Sequence, residues 1–188
     1  MRIWMVTWSL QCVFSGLYLH ALFLFGSVRL ASGDCSPEQL AAIMNWGDVR
    51  IRQLFSRTQW FLTIDDNGNI TGTQDPTNCY SILEIRTISE GGILAIKGIK
   101  SQYYICMNKA GKLQGKVKIY TDNCNFKEIF LENFFNAYSS VKWTKNGKEL
   151  FIALSQKGRP MRGKKTRREQ VASHFIPRQC REEERRID

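Results

Sequence analysis

A chain of 188 residues with 43% hydrophobic and 23% charged side chains has the length of one globular domain with an appendage, and is neither a disordered tract nor a polytopic membrane protein. Lys and Arg number 27 against 17 Asp and Glu, and the net charge of +10 points to a polyanionic partner: nucleic acid, anionic lipid or sulfated polysaccharide. His20 and His174 are the only histidines, so two-histidine acid–base sites and His-rich metal sites are excluded if His20 is lost on maturation.

Residues 1–33 read as a secretory signal. Arg2 forms the basic n-region, residues 12–28 are apolar apart from breaks such as Gly16 and His20, and the small residues Ala31 and Gly33 suit cleavage before Asp34. The other reading is a retained membrane anchor, which Ser15, Gly16 and His20 weaken. Export favours extracellular sulfated polysaccharide over nucleic acid as the polyanion, and no stable membrane insertion is expected after signal removal. Residues 34–49 form a leader in which Ser36, Pro37 and Gln39 give a weak start signal for one short helix; a mobile leader is the equal alternative.

From residue 50 to residue 178 short alternating apolar runs are punctuated by Gly, Asn and Asp, a pattern that predicts an all-β body. Three segments look alike: WFLTIDDNGNITG (60–72), YYICMNKAGKLQG (103–115) and LFIALSQKGRPMRG (150–163). Each has an aromatic or apolar lead, an alternating pair (Leu62/Ile64, Ile105/Met107, Ile152/Leu154), a polar turn ending in Gly68, Gly111 or Gly158, and a second Gly. The repeat of about 45 residues is too seldom used for a propeller, and predicts a β-trefoil of three pseudo-symmetric four-strand units. Further strands are expected at 81–89, 93–99, 127–134 and 137–143, the last two flanking a tight corner at Asn136. Residues 179–188 read as a charged C-terminal tail.

The residues offer no enzyme. Neither Ser nor Cys stands in a recognisable nucleophile context beside His174, Asp65 and Asp66 suit a hairpin turn, and DDNG fails the calcium-loop template. No metal site and no cofactor are expected. The strongest local signal is KGRPMRGKKTRR, residues 157–168, where Lys157, Arg159, Arg162, Lys164, Lys165, Arg167 and Arg168 stand without an acidic residue. Gly158, Pro160 and Gly163 favour a loop that gathers these cations for repeating sulfates, with affinity driven partly by counterion release. Once Cys12 is removed, Cys35, Cys79, Cys106, Cys124 and Cys180 are an odd set without metal-type spacing; Cys79–Cys124 is one pairing left open. Asn69-Ile70-Thr71 is an N-glycosylation sequon at a turn.

GKLQGKVKIYTDNCNFKE (111–128) fits the signature of the fibroblast growth factor family, and NFFNAY (133–138) resembles its NxYNTY continuation. RTISEGGILAIKGI, YYICMNKAGKL and RGKKTRREQVASHFIP resemble the keratinocyte growth factor subfamily. The resemblance implies a secreted β-trefoil that binds heparan sulfate as a co-receptor and activates a receptor tyrosine kinase through its extracellular immunoglobulin domains, with preference for the epithelial splice form. Carried across by position, heparan sulfate contacts fall on Arg57, Thr58, Gln156, Lys157, Arg162, Lys165, Thr166 and Gln170. The charge run adds Lys164, Arg167 and Arg168. Receptor contacts fall on Phe55, Glu128, Asn133, Phe135 and Ile176, with Asp48 in the segment facing the spliced region. Cys124 matches the family's cysteine, which implies a buried thiol. Phe135 stands where Tyr is common, Arg178 where Met is usual and Val171 where Lys is frequent.

Overall fold

The structure, a computed structural model, describes residues 48–117 and 121–180. Its strands are β1 (Val49–Ser56), β2 (Phe61–Ile64), β3 (Ile70–Thr73), β4 (Leu83–Ser89), β5 (Ile93–Gly98), β6 (Tyr104–Met107), β7 (Leu113–Lys116), β8 (Phe126–Phe130), β9 (Asn136–Lys145), β10 (Lys148–Phe151) and β11 (Phe175–Gln179). Short 3-10 turns are the only helical elements among the described residues.

Six strands close on themselves. β1 pairs with β4, β4 with β5, β5 with β8, β8 with β9, β9 with β11, and β11 with β1 again, all antiparallel. A closed ring leaves no strand edge open for pairing with another chain. The hairpins β2–β3 and β6–β7 stand off this ring, and the third hairpin position is filled by the single bridge Leu154↔Pro160. The units β1–β4, β5–β8 and β9–β11 are therefore the three leaves of a β-trefoil, as the sequence repeats predict.

The repeats themselves acquire a reason. All six side chains of the alternating pairs are fully buried, so each unit contributes two residues to one shared core. The paired glycines tie the hairpins to one another: Gly72 N–H donates to Gly158 C=O at 2.8 Å, Gly163 N–H to Gly111 C=O at 2.7 Å, and Gly115 N–H to Gly68 C=O at 2.9 Å. At Gly115 a Cβ would lie 2.5 Å from Gly68 Cα and 2.7 Å from its carbonyl oxygen, so only glycine permits this backbone approach. The aromatic leads serve the same junction, since a Cβ at Gly158 would meet the Trp60 ring at 2.6 Å.

Three expectations are corrected. The strand expected over 127–134 ends at Phe130, and the corner lies at Leu131–Phe135 rather than at Asn136, which is a β9 residue opposite Phe130 and Phe175. The turn forms three residues earlier because Asn133 Oδ1 accepts the Phe135 N–H at 3.3 Å, with Leu131 N–H donating to Phe135 C=O at 2.8 Å. Cys124 is buried but is no thiol: it is joined to Cys106, and the Cys79–Cys124 pairing is absent. Strand β6 brings Cys106 against the 3-10 turn Asp122–Cys124, whereas half-buried Cys79 stays apart from the bridge. Val49, the last residue of the expected leader, opens β1, and Gln179, the first of the expected tail, closes β11; the signal segment, residues 34–47 with the expected short helix, and residues 181–188 lie outside the described residues, with Cys12 and Cys35.

Candidate functional site

The basic loop is held by a rigid base. After β10, Ser155 N–H donates to Arg159 C=O and Gly158 N–H to Ser155 C=O, both at 2.9 Å, which turns the chain tightly with Gly158 at φ 70°. Gly163–Lys165 then forms a 3-10 turn, with Lys165 N–H on Arg162 C=O at 2.8 Å. Buried Thr166 fastens it: its hydroxyl donates to Gly163 C=O at 2.7 Å and accepts the Phe151 N–H at 2.9 Å. Gln170 Oε1 caps the next turn by accepting the Arg167 N–H at 2.9 Å.

On this base Lys157, Arg159, Arg162, Lys164, Lys165, Arg167 and Arg168 are all exposed. The ion pairs among the described residues use Arg50, Arg86 and Lys142, so none of the seven loop cations has a carboxylate within 4.0 Å there. The loop is thus a concentration of unneutralised charge on a fixed frame. Its members face different openings. Lys164, Lys165 and Arg167 line a cavity of about 260 Å³ with Lys145 and Lys148, while Arg162 lines one of about 320 Å³ with Lys112 and Asn69. Arg168 and Arg57 border a third, of about 550 Å³, that also holds Asn133 and His174.

Two expected sugar contacts point inward. Thr58 is buried with its hydroxyl donating to Leu154 C=O at 3.1 Å and meeting Ser56 Oγ at 2.8 Å, and Thr166 is spent as described. Both brace the loop from within and offer a ligand no side-chain donor. Gln156 is exposed, and its carbonyl accepts the Trp60 indole N–H at 3.2 Å. Asn69 is exposed at its turn, with Nδ2 donating to Asp65 Oδ2 at 3.1 Å.

Of the residues expected to face a receptor, Phe55, Glu128 and Ile176 lie on β1, β8 and β11, Asn133 and Phe135 in the turn between β8 and β9, and Asp48 just before β1. Phe55 of β1 stands opposite Ile176 of β11 in register, and Ile176 is 40% exposed. The Phe55 ring lies 4.7 Å from Phe61, and the Arg178 guanidinium covers both rings at 5.9 and 5.1 Å. Where the resemblance implies Met, this chain has a cation that caps an aromatic pair. Phe135 is half-buried beneath the Arg57 guanidinium at 5.4 Å and beside His174 at 6.0 Å, so a residue expected to hold sugar stacks on one expected to hold receptor. His174 Nε2 lies 2.8 Å from Arg168 C=O, which can only accept, so that nitrogen carries the proton and Nδ1 accepts from Asn133 Nδ2 at 3.3 Å.

Glu128 anchors the centre of this face. Its Oε1 accepts from Asn136 Nδ2 at 2.8 Å and Tyr138 OH at 2.9 Å, and its Oε2 from Arg50 Nη2 at 2.8 Å. Asp48 is exposed, 3.6 Å from Arg50 Nε. Burial lowers the Arg50 pKa, but the hydrogen bond and charge of Glu128 outweigh it and hold the guanidinium above its ordinary value. Burial first, then the Glu128 carboxylate, push the Tyr138 phenol well above its ordinary range. The folded protein keeps that proton where the unfolded chain releases it. This stabilisation is complete below the ordinary tyrosine range and is lost as pH rises above that range through the raised folded-state value.

Several members of these surfaces were not singled out from sequence. Lys145 and Lys148 face each other across Asn146-Gly147, whose φ values of 51° and 70° make the two-residue hairpin turn that Asn-Gly signals. Phe130 and Phe134 are 67% and 80% exposed, although apolar residues next to a strand read as core.

The sequence model of the fibroblast growth factor family, described as "Fibroblast growth factor", matches residues 50–176. The chain belongs to the fibroblast growth factor family. It is 47% identical to fibroblast growth factor 7 of Canis lupus familiaris over 192 aligned residues, covering 94% of this chain and 98% of the relative, and equally so to that of Homo sapiens. Fibroblast growth factor 10 of Mus musculus is 48% identical over 131 residues, 70% of this chain and 62% of that one. The molecule is accordingly a growth factor that acts on receptors, not an enzyme. No helix among the described residues of this growth factor is long and apolar enough to cross a membrane.

Proposed function

We propose that this growth factor is exported, holds heparan sulfate as a co-receptor on its basic loop, and activates a fibroblast growth factor receptor tyrosine kinase of the epithelial splice form, driving epithelial proliferation. The observation that carries this reading is the set of seven exposed loop cations, none with a carboxylate partner among the described residues, on a braced frame beside a face built from Phe55, Ile176, Glu128, Asn133 and Phe135. Sulfates repeating along one polymer chain would engage several cations at once, and a growth factor held on that chain meets its receptor at high effective concentration. Arg57 stands where the two surfaces meet, which suits a bridging mechanism in which polymer and receptor are held side by side. Signal cleavage after Gly33 would supply the exported form. A glycan on Asn69 would emerge at the rim of the opening that Arg162 lines.

Cells that lack heparan sulfate but display the epithelial splice form of the receptor provide the test. Purified protein is expected to raise receptor phosphorylation only when heparin is added with it. No phosphorylation under either condition describes a trefoil lectin and overturns the signalling reading; equal phosphorylation without heparin overturns the co-receptor.

A further inference from the structure

The corner Leu131–Phe135 contains two features that the trefoil does not use. Phe134 is held at φ 65°, in the left-handed region that a bulky side chain rarely adopts, and its ring is 80% exposed. Phe130, at the end of β8, is 67% exposed, and the two rings meet edge to face with centroids 6.2 Å apart. The turn is closed by backbone bonds, Leu131 N–H to Phe135 C=O and Phe134 N–H to Leu131 C=O, together with the Asn133 side chain. None of these needs an aromatic ring at position 134, and Asn or Gly would take that φ with less strain. A strained backbone and a solvated aromatic pair at one place stabilise nothing in the barrel, so the compensation comes from outside it.

The position of the pair identifies the occupant. Phe134 lies between Asn133 and Phe135, and Phe130 stands two residues beyond Glu128 on the same face of β8, so the patch continues the surface assigned above to the receptor. No cation stacks on either ring among the described residues, and the exposed carboxylate of Glu132 adjoins them, which disfavours a sulfated polymer. We infer that Phe134, backed by Phe130, is an aromatic anchor that inserts into an apolar recess of the receptor's immunoglobulin-type ectodomain, extending the contact beyond Asn133 and Phe135. This inference rests on the receptor reading of the preceding section.

The test compares the wild-type protein with Phe134→Asn and Phe134→Gly in surface binding to the epithelial splice-form ectodomain in the presence of heparin, with melting temperature measured in parallel. The expected result is an affinity lower by tenfold or more, with a melting temperature unchanged or raised and heparin retention unaltered, because relief of the φ strain and loss of the contact act in opposite directions. Wild-type binding that both variants match overturns the inference while leaving the receptor reading intact. Variants that melt earlier and bind equally well assign the ring to the growth factor's own packing and overturn it too. A wild-type protein that binds no ectodomain overturns the receptor reading and the inference together. Sedimentation of the wild type as a dimer that Phe134→Asn dissolves, with receptor affinity unchanged, assigns the patch to self-association and also overturns it.

Discussion

Replacing Lys157, Arg162 and Lys165 together by Gln is expected to lower the slope of log affinity for heparin against log salt by about three, roughly one for each released counterion. At physiological salt the loss should be about a hundredfold, taking about 1 kcal/mol for each exposed ionic contact. The reasoning starts from what those side chains do in the free protein. All three are exposed and none has a carboxylate partner among the described residues, so their removal breaks no ion pair there. The loop's shape is set elsewhere, by the Thr166 hydroxyl, the Gly163–Gly111 backbone bond and the turn at Gly158. Unfolding in urea should therefore change by less than about 0.5 kcal/mol. The reverse experiment uses the same logic: Thr166→Ala removes no charge, yet it frees the 3-10 turn that carries Lys164 and Lys165. Elution from heparin resin across a salt series, read with the urea midpoint, separates the two roles. Unchanged elution of the triple variant would refute the assignment of the loop.

Glu128→Ala is expected to lower stability by about 3 kcal/mol. The carboxylate accepts three hydrogen bonds, and its side chain is only 17% exposed, with Arg50 at 26%. Its loss leaves a largely covered guanidinium without its counter-charge and a fully buried phenol without its acceptor. Partial exposure of the Arg50–Glu128 pair places the figure at the low end of that for buried ion pairs. Glu128→Gln keeps an oxygen for Tyr138 but loses the charge opposite Arg50, and should recover part of the loss. Because all three bonds are internal, the proposed contribution of Glu128 to receptor binding would come from fixing Asn136 and the strand end that leads into the Leu131–Phe135 turn. Both variants should weaken ectodomain binding in step with the stability lost. Urea unfolding monitored by tryptophan fluorescence measures the first effect. An Ala variant as stable as the wild type would show that the cluster contributes nothing net to the fold.

The trefoil was legible because its symmetry is written in residue types. Leu62/Ile64, Ile105/Met107 and Ile152/Leu154 mark equivalent hairpin arms, and the glycine pairs mark where backbones touch, a requirement that tolerates no side chain. The basic loop was legible for a similar reason, since charge without counter-charge in a Gly- and Pro-broken segment has few structural uses. What escaped was decided by tertiary contact. Thr58 and Thr166 look like polar surface residues, and only the folded chain shows their hydroxyls turned to Leu154, Gly163 and Phe151. Arg57 and Phe135 are 78 positions apart in number, and no local pattern announces that they stack. The Cys106–Cys124 bridge depends on β6 lying against a short 3-10 turn, which spacing alone left among several pairings. The corner lies three residues before the expected one because the apolar run Ile129–Leu131, followed by Phe134 and Phe135, reads as a strand carried to its end, while Asn133 supplies a turn hydrogen bond within it.

Amide hydrogen exchange of the purified protein alone, with a heparin oligosaccharide, and with the receptor ectodomain measures directly whether one trefoil presents two distinct docking surfaces. Protection by the oligosaccharide should centre on residues 157–168, and protection by the ectodomain on residues 128–135 and 55 with 176. The two footprints should overlap only near Arg57. A single footprint common to both ligands, or ectodomain protection confined to the basic loop, would contradict the account.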